Sequence, residues 1–152
     1  MRLTDILSET RVTTELTATT KEAALSTVAQ LFTRDDGSLD APAVYEVLSE
    51  RERLASTGIG SGVAIPHGRL ANLDRLRAAV AISPNGIPFE AIDGAPVRIV
   101  VGVLAPQHHT GDHLRVLARV SRLLRNKDVR ESLLAAKTAH EAFDVIARAD
   151  IG

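Results

Sequence analysis

The chain contains no cysteine and no tryptophan, and only one tyrosine and three phenylalanines. Without thiols it forms no disulfide, offers no thiolate nucleophile and binds no zinc through sulfur. So few rings leave no aromatic platform on which bases could stack. A charge surplus is also missing. Lys and Arg number 18 against 19 Asp and Glu, a formal net charge of −1, so nothing draws the chain generally to nucleic acid or anionic membrane. No apolar run approaches a membrane-spanning length, and Met1-Arg2-Leu3-Thr4-Asp5 lacks the apolar segment of a signal peptide. These absences predict a cytoplasmic protein whose chemistry rests on histidine, arginine, carboxylates, hydroxyls and backbone N–H groups. At 152 residues, 45% apolar and 24% charged, it is expected to fold as a single domain over 1–152 with its own core.

Thr-rich alternation around Val12 and Leu16 predicts a short first strand. Thr19-Thr20-Lys21-Glu22 fits a capping box with Thr19 as the cap, opening a helix with Ala23, Leu25, Val28, Ala29, Leu31 and Phe32 on one stripe. Asp40 and Pro42 open a second helix, whose inner face is Val44, Val47, Leu48 and Leu54. Its end, Glu50-Arg51-Glu52-Arg53, is charged on every side, as a solvated helix end is. Ala78–Ile82 reads as a central strand, with turns at Ser83-Pro84-Asn85-Gly86 and Asp93-Gly94. Val97–Leu104 is the most strand-like segment and is closed by Pro106. A helix from about Gly111 to Arg125 follows, with Leu114, Leu117, Ala118, Ser121 and Leu124 inward. A shorter helix starts near Asn126, and a capping box at Thr138–Glu141 opens a last one. Strands interspersed with helices in one core's worth of chain predict an α/β fold with a sheet covered on both faces.

The stretch Ser56-Thr57-Gly58-Ile59-Gly60-Ser61-Gly62-Val63-Ala64-Ile65-Pro66-His67-Gly68 organises the rest. Three alternate glycines lead into a short apolar strand, and Pro66 is expected to end its pairing, which leaves His67 at a strand end, where α/β sheets place ligand chemistry. It is neither a Walker A loop, since Val63 and Ala64 follow Gly62 where Lys and Ser/Thr are needed, nor a dinucleotide-binding turn, since the glycines precede the strand. His113 falls in the first turn of a helix, where free N–H groups favour an anion. Spacing alone leaves open whether it is an ordinary polar residue there. His108, His109 and His113 lie close enough in sequence to suggest zinc, although the Glu of an H-E-x-x-H motif is absent and His108 and His109 read as loop residues. Two histidines with an arginine-rich helix end upstream suit a transferable phosphoryl group. Neutral imidazole is a nucleophile toward phosphorus, and a second histidine, an arginine and N–H groups can neutralise the oxygens without a metal.

The run from Glu50 through Arg51, Ser56, Thr57, Gly58, Gly60 and Gly62 to Pro66-His67-Gly68, with Ala91-Ile92-Asp93-Gly94, Leu104-Ala105-Pro106 and His113-Leu114, resembles the enzyme IIA domains of the fructose/mannitol class of the sugar phosphotransferase system (PTS). The resemblance is strongest to their nitrogen-regulatory branch and covers most of the chain. It implies a mixed sheet covered by helices and a phosphocarrier in which His67 is phosphorylated. It also implies that His113 orients His67 or shields the phosphate charge, that Arg51 contacts the phosphoryl group, and that Thr57 supports the loop with Gly58, Gly60 and Gly62. The donor would be the histidine phosphocarrier HPr or its nitrogen-branch relative. The acceptor would be a separate IIB domain, since IIB domains of this class use a cysteine and this chain has none. Without an acceptor, the phosphorylated state would instead regulate nitrogen, potassium or carbon metabolism. The phosphoryl group is carried covalently, so no cofactor and no metal is expected. The alternative is a zinc-binding or interaction domain built on His108, His109 and His113.

Overall fold

The computed structural model describes residues 2–108 and 110–150. A 3-10 turn at Leu3–Asp5 leads into β1 (Leu7–Thr13), α1 (Lys21–Thr33), α2 (Ala41–Leu54), β2 (Gly58–Gly60), β3 (Val63–Ala64), β4 (His67–Leu70), β5 (Arg77–Ile87), β6 (Val97–Pro106), α3 (Thr110–Leu124), α4 (Lys127–Ala135) and α5 (Ala139–Ala149). Among the described residues, no helix is long and apolar enough to cross a membrane.

Local chemistry sets most of these boundaries. Asp40 caps α2 by accepting from the Ala43 N–H, and Asn126 caps α4 through the N–H groups of Asp128 and Val129. The cap of α1 is Thr20 and not Thr19: its hydroxyl accepts from Ala23 N–H at 3.1 Å. Glu22 then sits one position too early to reach back to the cap. At α5, Thr138 accepts from Glu141 N–H, and the Glu141 carboxylate reaches past the cap to Lys137 N–H at 2.7 Å.

The sheet is mixed, in the order β1-β5-β6-β3-β2, with β4 also on β6. β1 runs parallel to β5, β5 antiparallel to β6, and β3 and β4 parallel to β6. Alternation along the central strands divides the core in two. Ala78, Val80, Ile82, Ile99, Val101, Val103 and Ala105 face α3, α4 and α5. Ala79, Ala81, Val100 and Leu104 face α1 and α2. The sheet is therefore covered on both faces, as expected.

Three details differ from the sequence expectation. Pro66 does not end the pairing. Val63 and Ala64 stand opposite Ile99 and Val100, and His67 stands opposite Val103 in the same register. Proline removes one donor, yet its carbonyl still accepts from Val103 N–H at 3.0 Å, so the chain resumes the ladder. His67 thus opens a further strand instead of lying in the loop after one. Second, Ser83–Gly86 does not turn the chain: β5 runs through it with an irregularity between Ile82 and Ile87, and Gly86 takes φ +81°. Third, α3 is rotated from its expected phase. Val116, Val120 and Leu124 are buried, whereas Leu114 is 61% exposed, and the rotation carries His113 inside. Leu54, expected inward on α2, is 82% exposed in its last turn.

Candidate functional site

His67 is the first residue of β4, on the face covered by α3. Its Nδ1 lies 2.7 Å from the Ile65 carbonyl oxygen. A carbonyl can only accept, so Nδ1 carries the proton and Nε2 keeps the free lone pair. This bond locks both the tautomer and the ring. Burial pulls the imidazole below its ordinary pKa, the Arg51 charge adds to that, and the Ile65 bond and Glu52 oppose it.

His113 meets His67 edge-on, with ring centroids 5.4 Å apart and planes at 75°. It is only 6% exposed, and its Nε2 is buried without a hydrogen-bond partner. Burial, then the neighbouring His67 and Arg69 charges, lower its pKa from 6.5 to about 4. Near neutral pH the site holds two neutral imidazoles, one of them nucleophilic at Nε2.

Arg51 comes from α2, on the opposite face of the sheet. Its guanidinium donates to the Ala55 carbonyl at 2.9 Å, at the end of its own helix. Gly68 explains how α2 comes so close. A Cβ at Gly68 would collide with Val47 Cγ1 and lie 3.4 Å from the Val47 carbonyl oxygen, so only glycine admits the helix against β4. The strand thus turns the His67 ring toward α3 and its own bare backbone toward α2.

The charged end of α2 is not wholly solvated. Glu52 is 7% exposed, and its carboxylate accepts from both Thr57 N–H (2.7 Å) and Thr57 Oγ1 (2.8 Å). Thr57 in turn accepts from Ile65 N–H through its carbonyl at 3.0 Å. A chain of bonds therefore runs from α2 through Glu52 and Thr57 to Ile65, whose carbonyl holds the His67 ring. Thr57 is the middle link of this chain of bonds. Glu52 was missed, because in sequence it is one of four alternating charges and nothing marks it as the buried one.

Gly58, Gly60 and Gly62 build the β2–β3 hairpin beside the site and do not touch the imidazoles. Ser61 and Gly62, at the tip, take φ +57° and +76°, the doubly left-handed pair of a tight hairpin. Asp93 of the Asp93-Gly94 turn accepts from Ser61 N–H and fixes that tip. At Gly58, a Cβ would lie 2.8 Å from the Ala91 backbone. Arg69 shares the α3-side face of β4 with His67, a neighbourhood visible only because the strand resumes after Pro66. The three histidines of the zinc alternative do not assemble as a group in what is described: His108 is exposed, His113 is turned to His67, and His109 lies outside the described residues.

A match over residues 5–149 is to the family described as phosphoenolpyruvate-dependent sugar phosphotransferase system, EIIA 2. A nitrogen regulatory protein of Bradyrhizobium diazoefficiens is 38% identical over 147 residues, covering 97% of this chain and 95% of that protein. The PTS system fructose-specific EIIA component of Haloferax volcanii is 35% identical over 150 residues, 97% of each. The crystal structure of nitrogen regulatory protein IIA-Ntr from Neisseria meningitidis superposes with a TM-score of 0.87 at 34% identity, covering 93% of this chain and 97% of that one. With the family's match spanning nearly the whole chain, and His67 of its Pro-His-Gly motif set against His113, this protein belongs to the EIIA 2 family of the phosphotransferase system.

Proposed function

We propose that the chain is a cytoplasmic phosphoryl carrier that accepts the group on His67 Nε2 from a histidine-phosphorylated donor protein of the HPr type. In that step the Nε2 lone pair attacks phosphorus while the donor's P–N bond breaks and its electron pair returns to the donor's imidazole, which leaves neutral because its other ring nitrogen carries a proton; the proton of His67 stays on Nδ1, bonded to the Ile65 carbonyl. No other co-reactant is needed, and the group is held covalently without a cofactor. The observation that carries this reading is the Nδ1 bond to Ile65, which leaves Nε2 as the nucleophile next to a buried, unpartnered His113 Nε2. A phosphoryl group there would meet His113 as donor and Arg51 as a fixed cation.

Protein partners suit the surroundings. Leu54, Ile59, Ile92 and Leu114, the large hydrophobics exposed among the described residues, all lie on α2, the glycine hairpin, the loop bonded to it, or beside His113. Exposed apolar groups on the elements that carry the site fit a docking protein better than a small sugar. The relatives' names divide between nitrogen regulation and fructose transport. The Pro-His-Gly region favours the nitrogen-regulatory branch, in which the phosphorylated state would act on regulatory targets; transfer to a separate IIB domain is the other outcome.

Incubation with phosphorylated HPr tests the proposal. Wild type should take one acid-labile, base-stable phosphate, and His67→Ala should fold and take none. Stoichiometric label retained in His67→Ala would overturn the assignment. Transfer onward to purified IIB, or its failure while target binding changes with phosphorylation, separates the two roles.

A further inference from the structure

A phosphoryl group on nitrogen carries a charge approaching −2 at neutral pH. In the unphosphorylated site both imidazoles are neutral, so Arg51 is the one permanent cation so far placed to receive it. β4 supplies a second cation. In its register with β6, His67 stands opposite Val103 and Arg69 opposite Ala105, both on the α3 side, while Gly68 and Leu70 stand opposite Leu104 and Pro106 and face α2. Arg69 is therefore the next side chain along the same face as His67, and it is exposed at the rim where His67 and His113 are progressively buried. Its guanidinium acts on His113 from this position.

Five arginines of the fold are spent on carboxylates. Arg11 is paired with Asp35, Arg77 with Asp36, Arg115 with Asp112, Arg119 with Asp150 and Arg148 with Asp144. Among the described residues Arg69 has no ion pair. A permanent positive charge thus stands beside the neutral imidazoles and opposes protonation of His113 until an anion arrives.

We propose that Arg69 is the second phosphoryl-binding cation: with Arg51 it brackets the group on His67 from the outer side and meets the incoming donor or acceptor first. This rests on the carrier reading above. Two permanent guanidinium charges then face the dianion, whatever the protonation of the imidazoles, and the exposed one of the pair can follow the group as it changes hands. Lysine should serve in part, because a rim charge needs no paired N–H geometry, unlike Arg51.

The experiment compares wild type, Arg69→Gln, Arg69→Lys and Arg75→Gln, the last removing an exposed arginine in the loop after β4. Three quantities are read: the rate of labelling by phosphorylated HPr, the hydrolysis half-life of phospho-His67, and the titration of His113 by NMR in the unphosphorylated protein. Arg69→Gln should slow labelling by about 10-fold, less than a buried donor because the site is open to water. It should also alter the phosphohistidine half-life and move the His113 titration upward. Arg69→Lys should recover most of each, and Arg75→Gln should match wild type. Labelled wild type with an Arg69→Gln variant of unchanged rate and half-life overturns this inference alone, as does an equal loss in Arg75→Gln, which would mean general charge. A wild-type protein that takes no label overturns the carrier reading, and the inference with it.

Discussion

At the scale of single residues, the site depends on which charges are permanent. The imidazoles are uncharged near neutral pH because burial opposes protonation. The arginines cannot lose their charge. Arg51 is half-buried and anchored to the end of α2, whereas Arg53 is exposed. Arg51→Lys should therefore slow phosphoryl transfer by roughly 10²-fold, since an ammonium cannot present paired N–H donors to phosphate oxygens. Arg53→Lys should leave the rate near wild type. Measured side by side, equal losses would show that the helix end acts only through bulk charge or docking. Arg51 was legible in the sequence through the motif it belongs to. Arg69 was not, because seeing it required knowing that the strand resumes at His67, which depends on a carbonyl of Pro66 still finding Val103 N–H.

At the scale of elements, the His67 ring is held by a relay that begins in α2. Glu52 accepts two hydrogen bonds from Thr57, Thr57 holds Ile65, and Ile65 holds the His67 ring. Glu52→Gln keeps the shape but replaces one accepting oxygen with an NH₂ group. A buried donor of Thr57 then loses its partner, which should cost about 1–3 kcal/mol. Chemical denaturation should show that loss with the m-value unchanged. Phosphorylation should slow as well, because the Ile65 carbonyl is no longer fixed. Full stability together with wild-type transfer would dissociate Glu52 from the relay. The cap residues were readable in advance at Asp40 and Asn126, since capping needs only a local oxygen and a free N–H. The phase of α3 was not. Its sequence offers two overlapping apolar stripes, and the choice of Val116 and Val120 over Leu114 and Ala118 is made by the sheet beneath, which also draws His113 inward.

At the scale of the whole molecule, two cores share one sheet, and the candidate site lies where they meet, with His67 on the α3 face and Arg51 on the α2 face. Stability should depend on pH through His113. Its pKa is about 4 in the fold against 6.5 ordinarily, so between those values the unfolded chain binds a proton that the folded chain does not. Stability is then fully present above about pH 6.5 and falls as pH drops toward 4, with His67 contributing in the same direction. Asp36, lowered from 3.8 to about 2 by bonds from Ser38 and Arg77, acts the same way in a separate, more acid window. Thermal melts across pH 7.5 to 4 should show this loss, and His113→Gln should flatten it. An unchanged slope in that variant would place the pH dependence elsewhere. Phosphorylation should reverse the sign locally, because a dianion beside His113 favours its protonated form.

The sequence by itself determined the α/β class, the sheet covered on both faces and the family, through the motif around Pro66-His67-Gly68. Each is a local or periodic property: alternation in a strand, a stripe on a helix, a motif of fixed spacing. Tertiary structure alone decided what those residues do to one another. Nδ1 of His67 is tied to Ile65 because Pro66 bends the chain without breaking its register. Glu52 is buried and Glu50 is not, because Thr57 folds back onto it. His113 comes to within 5.4 Å of His67 because α3 turns the side that best fills the sheet's surface. These are contacts between segments distant in the chain, set by which packing buries the most apolar area without leaving a polar group unpaired, and no single stretch of sequence contains that comparison.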